Sequence, residues 1–265
     1  MNGEQNMKKE CVSRQPEVGA RALAQGVKIG DVGISKRNST GANAFTLAEV
    51  LLTLAIIGVV AALTIPAVVT KITKDQYVVG LKKAYNTLKA IEREARQEYG
   101  EMENWTSTPG ADSTADFERY FLPYFDVLKN CGATTETGCH AEKITFLNGE
   151  EYTDNFNTTE YYKIVTSDGI SWAYSKYGDT SSPTVWGIFY VDVNGLKGPN
   201  RYGRDIFAFH VYPSNLGIKP YGSYGINNSS DASPMPTSTI DADCNTSEQG
   251  NFCTAKVLAE GAMNY

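Results

Sequence analysis

Hydrophobic and polar positions follow three regimes along the chain. From Val50 to Val69, twenty consecutive residues carry no charge, and most are aliphatic. At a helical rise of about 1.5 Å per residue this run spans about 30 Å, the thickness of a hydrocarbon core, and it predicts a membrane-spanning helix. Beyond Lys71 the pattern becomes one-sided. Ile72, Tyr77, Leu81, Ala84, Leu88, Ile91 and Ala95 recur at helical steps, with Lys82, Lys83, Glu92 and Arg96 elsewhere on the wheel. This predicts an amphipathic continuation ending near Gly100. The two parts make one helix of about 55 residues, roughly 80 Å long. Its first half is apolar all round, whereas its second half needs a globular partner to cover one stripe.

The third regime supplies that partner. "STADFERYFLPYFDVLKN" (113–130) predicts a short helix interrupted at Pro123. Strand signals follow in "KITFL" (143–147), "YYKIVTSDGISWAYSKY" (161–177), "TVWGIFYVDVNG" (184–195) and "IFAFHVY" (206–212), with "SDG" as a hairpin turn. Residues 213–250 are rich in Ser, Asn, Gly and Pro and predict loop. The expected fold class is α+β: a long N-terminal helix, transmembrane in its first half, packed on a small antiparallel sheet with disulfide-bonded C-terminal loops. The expected division is a removable leader (1–44), a transmembrane half-helix (45–70), an amphipathic half-helix (71–100) and a globular head (101–265).

Composition sharpens this picture. The chain has 265 residues, 42% of them hydrophobic, and 16 Tyr, enough for one domain with extensions. Residues 1–44 hold seven Lys/Arg against four Asp/Glu, and the remainder 17 against 26. A short basic leader thus precedes a span and an acidic body, as in targeting segments. The acidic body argues against nucleic acid as the main partner. Basic residues flank both ends of the span (Lys28, Lys36 and Arg37; Lys71, Lys74, Lys82 and Lys83), so charge asymmetry does not set its orientation.

Of five cysteines, Cys11 lies in the leader, leaving an even set. The nearest pairings are Cys131–Cys139 and Cys244–Cys253, which suit an oxidising compartment and place the C-terminal body outside the cytosol. Three connectivities are open. A four-thiolate zinc site is the rival, but the wide gaps in "CGATTETGC" and "CNTSEQGNFC" are unlike zinc knuckles.

Catalytic chemistry is poorly represented. The two histidines, His140 and His210, fall beside a cysteine and in an alternating strand, and no glycine-rich phosphate loop follows a strand. No cofactor is required. "DVNGLKGPNRYGRD" (192–205) could hold calcium through Asp192, Asn194, Asn200 and Asp205, with a backbone carbonyl near Leu196. The same side chains would also serve as caps of backbone turns.

One residue breaks the span. Glu49 places a carboxylate at the mouth of the apolar run, a cost relieved by a positive partner. "FTLAEVLLTLAIIGVVAALTIP" resembles the N-terminal segment of type IV pilins and of the pseudopilins of type II secretion systems. Phe45 stands as first mature residue, Thr46 second, Glu49 fifth, Gly58 fourteenth and Pro66 twenty-second. The resemblance implies that a membrane-embedded prepilin peptidase cuts Ala44–Phe45 on the cytoplasmic side and methylates the Phe45 amine. Ala44 stands before the cut where Gly is usual, and recognition would rest on Lys36 and Arg37.

Cleavage would create an ammonium at Phe45. A neighbouring subunit's amine could reach Glu49 and set the docking register, with Thr46 beside it, because a buried unpaired carboxylate penalises misaligned insertion. Gly58 weakens the helix, and Pro66 frees the carbonyl of Ala62, so the stretch between them can bend. The implied partners are identical or related pilin-like subunits, the peptidase, an inner-membrane assembly platform and the lipid bilayer. The implied location is the bacterial cytoplasmic membrane, single-pass, with the head extracytoplasmic and a filament after assembly. The alternative is an unpolymerised membrane-anchored binding module whose aromatic-rich head captures a ligand.

Overall fold

The computed structural model describes residues 45–105, 113–153, 156–176, 186–213, 215–226 and 232–265. The leader, Cys11, Lys28, Lys36, Arg37 and Ala44 lie outside the described residues. The chain divides into two compact units, Met1–Thr53 and Leu54–Tyr265.

Helix α1 (Leu47–Tyr99) is continuous in secondary structure and contains Pro66. The hydroxyls of Thr64, Thr70 and Thr73 each donate to the carbonyl four residues back, at 2.9 Å, so their polarity is absorbed within the helix. Gly100, with φ +79°, ends it: the left-handed conformation brings its N–H to the Arg96 carbonyl at 2.9 Å. Residues 45–70 are exposed, apart from half-buried Ala61. From Tyr77 the predicted stripe is buried, with Val78 added to it. The helix is therefore long and apolar enough to be a candidate membrane span.

Six strands form an antiparallel meander in chain order: β1 (Val127–Gly132), β2 (Tyr162–Thr166), β3 (Ser171–Lys176), β4 (Gly187–Asp192), β5 (Ile206–Tyr212) and β6 (Gly217–Pro220). Alternation sorts their side chains. Trp172, Tyr174, Phe189, Val191, Phe207 and Phe209 join the core with Leu81, Leu88 and Ile91 of α1. Ala173, Ile188, Tyr190 and Ala208 face the other way. That second face is also covered, by Ile144, Phe156, Tyr161 and Tyr202, so β4 and β5 are buried throughout. The rings explain the tyrosine content: Tyr152, Phe156, Tyr190 and Tyr202 pack together with centroids 4.7 to 6.1 Å apart.

Three segments depart from the sequence expectation. The helix predicted over 113–130 stops early: α2 (Thr114–Tyr120) gives way to a 3-10 turn at Leu122–Tyr124 holding Pro123, and Val127–Gly132 becomes edge strand β1. "KITFL" is no strand. Only Thr145 forms isolated bridges, to Glu151 and Arg201, while Ile144 caps the second face. The 213–250 segment is not plain loop: it contains β6, the pair β7 (Tyr224–Ile226) and β8 (Ala232–Pro234), and α3 (Thr237–Asp243). Helix α4 (Cys253–Glu260) follows.

Glu92, placed off the stripe by its charge, is buried. Its carboxylate accepts the Ile218 N–H at 3.1 Å and pairs with Arg96 at 3.1 Å. Gly217, at φ +64°, makes room, since a Cβ there would meet that carboxylate. A charge thus fastens the last strand of the large sheet to α1.

Disulfides join Cys131 to Cys139 and Cys244 to Cys253. The first loop is also held by Lys163, whose ammonium donates to the carbonyls of Thr134, Thr158 and Tyr161 at 2.6 to 3.0 Å. The second joins the end of α3 to the start of α4.

Both histidines are buried, His140 against Phe156 with centroids 4.4 Å apart. Burial and then the Lys163 charge push the His140 pKa down to about 3, and burial pushes His210 to about 4. At these two sites the unfolded chain therefore binds protons that the folded one refuses, and the histidine contribution to stability should fall as pH drops below 6.5, opposed by the raised carboxyls of Asp192 and Asp205. Each histidine adds up to about 1.4 kcal/mol per pH unit until its folded value is reached. Denaturant unfolding at pH 7, 6 and 5, compared between the native chain and a His140→Gln/His210→Gln variant, isolates this contribution: the variant should lose less stability, or gain more, as pH falls.

Candidate functional site

The first candidate lies at the start of α1. Phe45 is 86% exposed, directly before the helix. The Thr46 N–H and hydroxyl both donate to Oε2 of Glu49, at 2.8 and 2.9 Å, and the Glu49 N–H donates back to the Thr46 hydroxyl at 3.2 Å. This reciprocal pair is a capping box: Thr46 is the N-cap, Glu49 the third helical residue, and the carboxylate meets the positive end of the helix. Its signature, Thr-x-x-Glu before an apolar run, is legible at 46–49, but reading Glu49 as an interrupted span passed over it. The glutamate is satisfied within its own chain before any neighbouring amine is considered. Among the described residues Oε1 makes no hydrogen bond, which leaves it open to a second partner.

Gly58 lies in the exposed half of α1, where an added Cβ would meet nothing within 4 Å. Pro66 lacks the N–H that would otherwise bond the Ala62 carbonyl, yet the helix persists through it.

The second candidate is the turn from β4 to β5. Asp192 closes β4 and Asp205 immediately precedes β5, and both are fully buried. Turn capping uses part of their capacity. Oδ1 of Asp192 accepts the Asn194 N–H at 3.2 Å, and the Asp205 oxygens accept the N–H groups of Asn200 and Arg201 at 2.9 and 2.6 Å. Asn200 has φ +51°, and its carbonyl accepts the Thr145 N–H at 3.1 Å, so its backbone is held from both sides. Capping does not use every oxygen: Oδ2 of Asp192 and the amide oxygens of Asn194 and Asn200 are buried without a hydrogen-bond partner.

Burial, then the neighbouring Asp205 charge, raise the Asp192 carboxyl well above the usual range, and burial raises Asp205. The charge of Asp205 reaches Asp192, and Asn194 and Asn200 each place a backbone N–H on one of the two carboxylates, so four of the five candidate residues share one turn. Leu196 stands apart. Its side chain is exposed and lines a surface cleft with Leu128, Lys129 and Ser171, and nothing in the structure brings its carbonyl to the aspartates.

This turn also touches α1. The Asn194 amide lies 3.5 Å from the Tyr77 hydroxyl, and a Cβ on Gly80 would come within 2.9 Å of Val193. The glycine lets helix and turn approach at that point.

Compared with protein-family models, with curated proteins and with solved structures, the chain matches none. Its architecture, a long apolar N-terminal helix packed against a small antiparallel sheet with two disulfides, is consistent with a pilin-like fold in general.

Proposed function

We propose that the protein is a pilin-like structural subunit rather than a catalyst, made as a precursor and cut between Ala44 and Phe45 by a prepilin peptidase. The new Phe45 amine is methylated, and the subunit joins a type II secretion pseudopilus or a related type IV pilus-like filament. The supporting observation is the two-sided character of α1, whose stripe is covered beyond Tyr77 while the apolar surface of residues 45–70 is bare. Aliphatic surface of that extent is covered by lipid before assembly and by neighbouring helices after it. Helix packing then drives polymerisation, and Glu49, beside Thr46, supplies the charge that a neighbour's amine recognises.

In this reading Gly58 and Pro66 let the helix yield between them. The head stands outside the cytoplasmic membrane, where its disulfides persist. Intact mass and N-terminal fragment spectra of protein extracted from membranes should begin at an N-methylated Phe45. A retained leader would instead favour an unpolymerised anchored binding module.

A further inference from the structure

We propose that Lys74, Arg201 and Arg204 form a site for the phosphodiester headgroup of an anionic phospholipid, which seats the head on the membrane surface. The site requires that the apolar half of α1 spans a membrane, as in the proposed function, but it requires no filament. A cavity of about 210 Å³ is lined by these three side chains together with Leu147, Met263 and Tyr265. Three parts of the chain distant in sequence thus bring cations to one place or wall them in: α1, the turn leading into β5, and the residues after α4.

Their charges are not balanced. Among the described residues no ion pair includes Lys74, Arg201 or Arg204, although residues 45–265 are acidic as a whole. Lys74 is partly spent, since Nζ donates to the Met263 carbonyl at 3.2 Å and to the main-chain oxygen of Tyr265. Nε of Arg201 donates to the Thr145 hydroxyl at 3.3 Å. Nε of Arg204 is buried without a hydrogen-bond partner. Glu260, whose charge reaches Tyr265, is already paired with Lys256 at 2.6 Å. Both half-buried guanidiniums are left without a countercharge, a costly arrangement until an anion enters.

Depth selects the source of that anion. Lys74 lies five residues beyond Val69, where the uncharged run ends, hence about 7.5 Å farther along the helix. Headgroups occupy about 5–7 Å on each side of the hydrocarbon core, so the cavity meets that layer. Guanidinium forks engage phosphate oxygens two at a time, whereas Lys74 acts as a point charge. Leu147 and Met263, both buried, give the glycerol carbons an apolar wall for which a free phosphate ion has no use.

The test uses the full chain in nanodiscs of phosphatidylcholine, with spin-labelled phosphatidylglycerol or phosphatidylcholine as the probe. The motionally restricted fraction should favour phosphatidylglycerol roughly five-fold or more, and inorganic phosphate in excess should not displace it. Arg201→Gln/Arg204→Gln should bring the two lipids to within about two-fold of each other. Lys71→Gln, at an exposed cation outside the cavity, should leave the preference unchanged. Should the double variant not fold, Arg204→Gln alone, at a side chain whose Nε makes no hydrogen bond, should lower the preference about two-fold or more.

An inserted protein without this preference, or an undiminished preference in the folded double variant, would overturn the site and leave its cations to a carboxylate of another protein. Displacement by inorganic phosphate would overturn the lipid as occupant. Failure to enter the discs would overturn the span, and the site with it.

Discussion

Replacing Glu49 by Ala should reduce incorporation into filaments more than ten-fold while leaving membrane insertion intact. Two roles compete for this residue, and their energies separate them. As a capping-box partner it contributes about 0.5–2 kcal/mol at one end of a helix of 53 residues, too little to unseat it. As a charge matched to a neighbour's amine in apolar surroundings, its loss leaves that amine unpaired, which costs about 3–5 kcal/mol at each contact.

The conservative variants distinguish the two. Glu49→Gln keeps a side chain that can bond the Thr46 backbone but removes the charge, and it should fail like Ala. Thr46→Val removes the reciprocal hydroxyl and keeps the charge, and it should assemble with at most a few-fold loss. Pelleted filaments immunoblotted against total membrane protein give the ratio. Normal assembly of the Gln variant with failure of the Val variant would make the cap, and not the charge, the working part.

The largest stability effect is expected at Asp116 and Lys176. These residues sit in α2 and β3, their side chains are 4% and 3% exposed, and Nζ lies 3.0 Å from Oδ2. Removing one partner takes away the countercharge 3.0 Å from a buried ion, so Lys176→Met or Asp116→Leu alone should each cost about 3–5 kcal/mol. The double replacement Asp116→Leu/Lys176→Met should recover much of that loss, because a buried pair exchanged for apolar side chains is often neutral. Denaturant unfolding of the four proteins closes the cycle. If the double variant were as unstable as the singles, the pair would be supporting something other than its own charges.

Much of the architecture was legible because its signals are local. The apolar run, the stripe from Tyr77 to Ala95, the alternating aromatic strands and the hairpin at Ser167–Gly169 depend on periodicity within a single element. The misreadings arose where a segment takes its structure from a distant partner. Val127–Gly132 looks like a helix tail until β2 supplies hydrogen bonds, and Gly217–Pro220 looks like loop until β5 does. "KITFL" alternates like a strand because one of its sides covers a sheet, not because it joins one.

The candidate sites divide in the same way. The capping box is a four-residue signal and was there to be read. The oxygen cluster could be named from its residues, but not weighed. Whether Asp192 and Asn200 are spent on turn capping or left with unused oxygens depends on packing from β4, β5 and the Thr145 backbone.

What the sequence alone determined is the long helix, its change from an all-round apolar surface to a stripe, and the antiparallel aromatic sheet beside it. Each follows from side-chain spacing against a fixed backbone repeat. The tertiary structure decided which polar groups are buried and which of them are satisfied: Glu92 under β6, Lys163 among three carbonyls, Asp116 with Lys176, and Asp192 with oxygen to spare. Burial and hydrogen bonding of a polar group depend on neighbours brought in from elsewhere in the chain, and no local pattern encodes them.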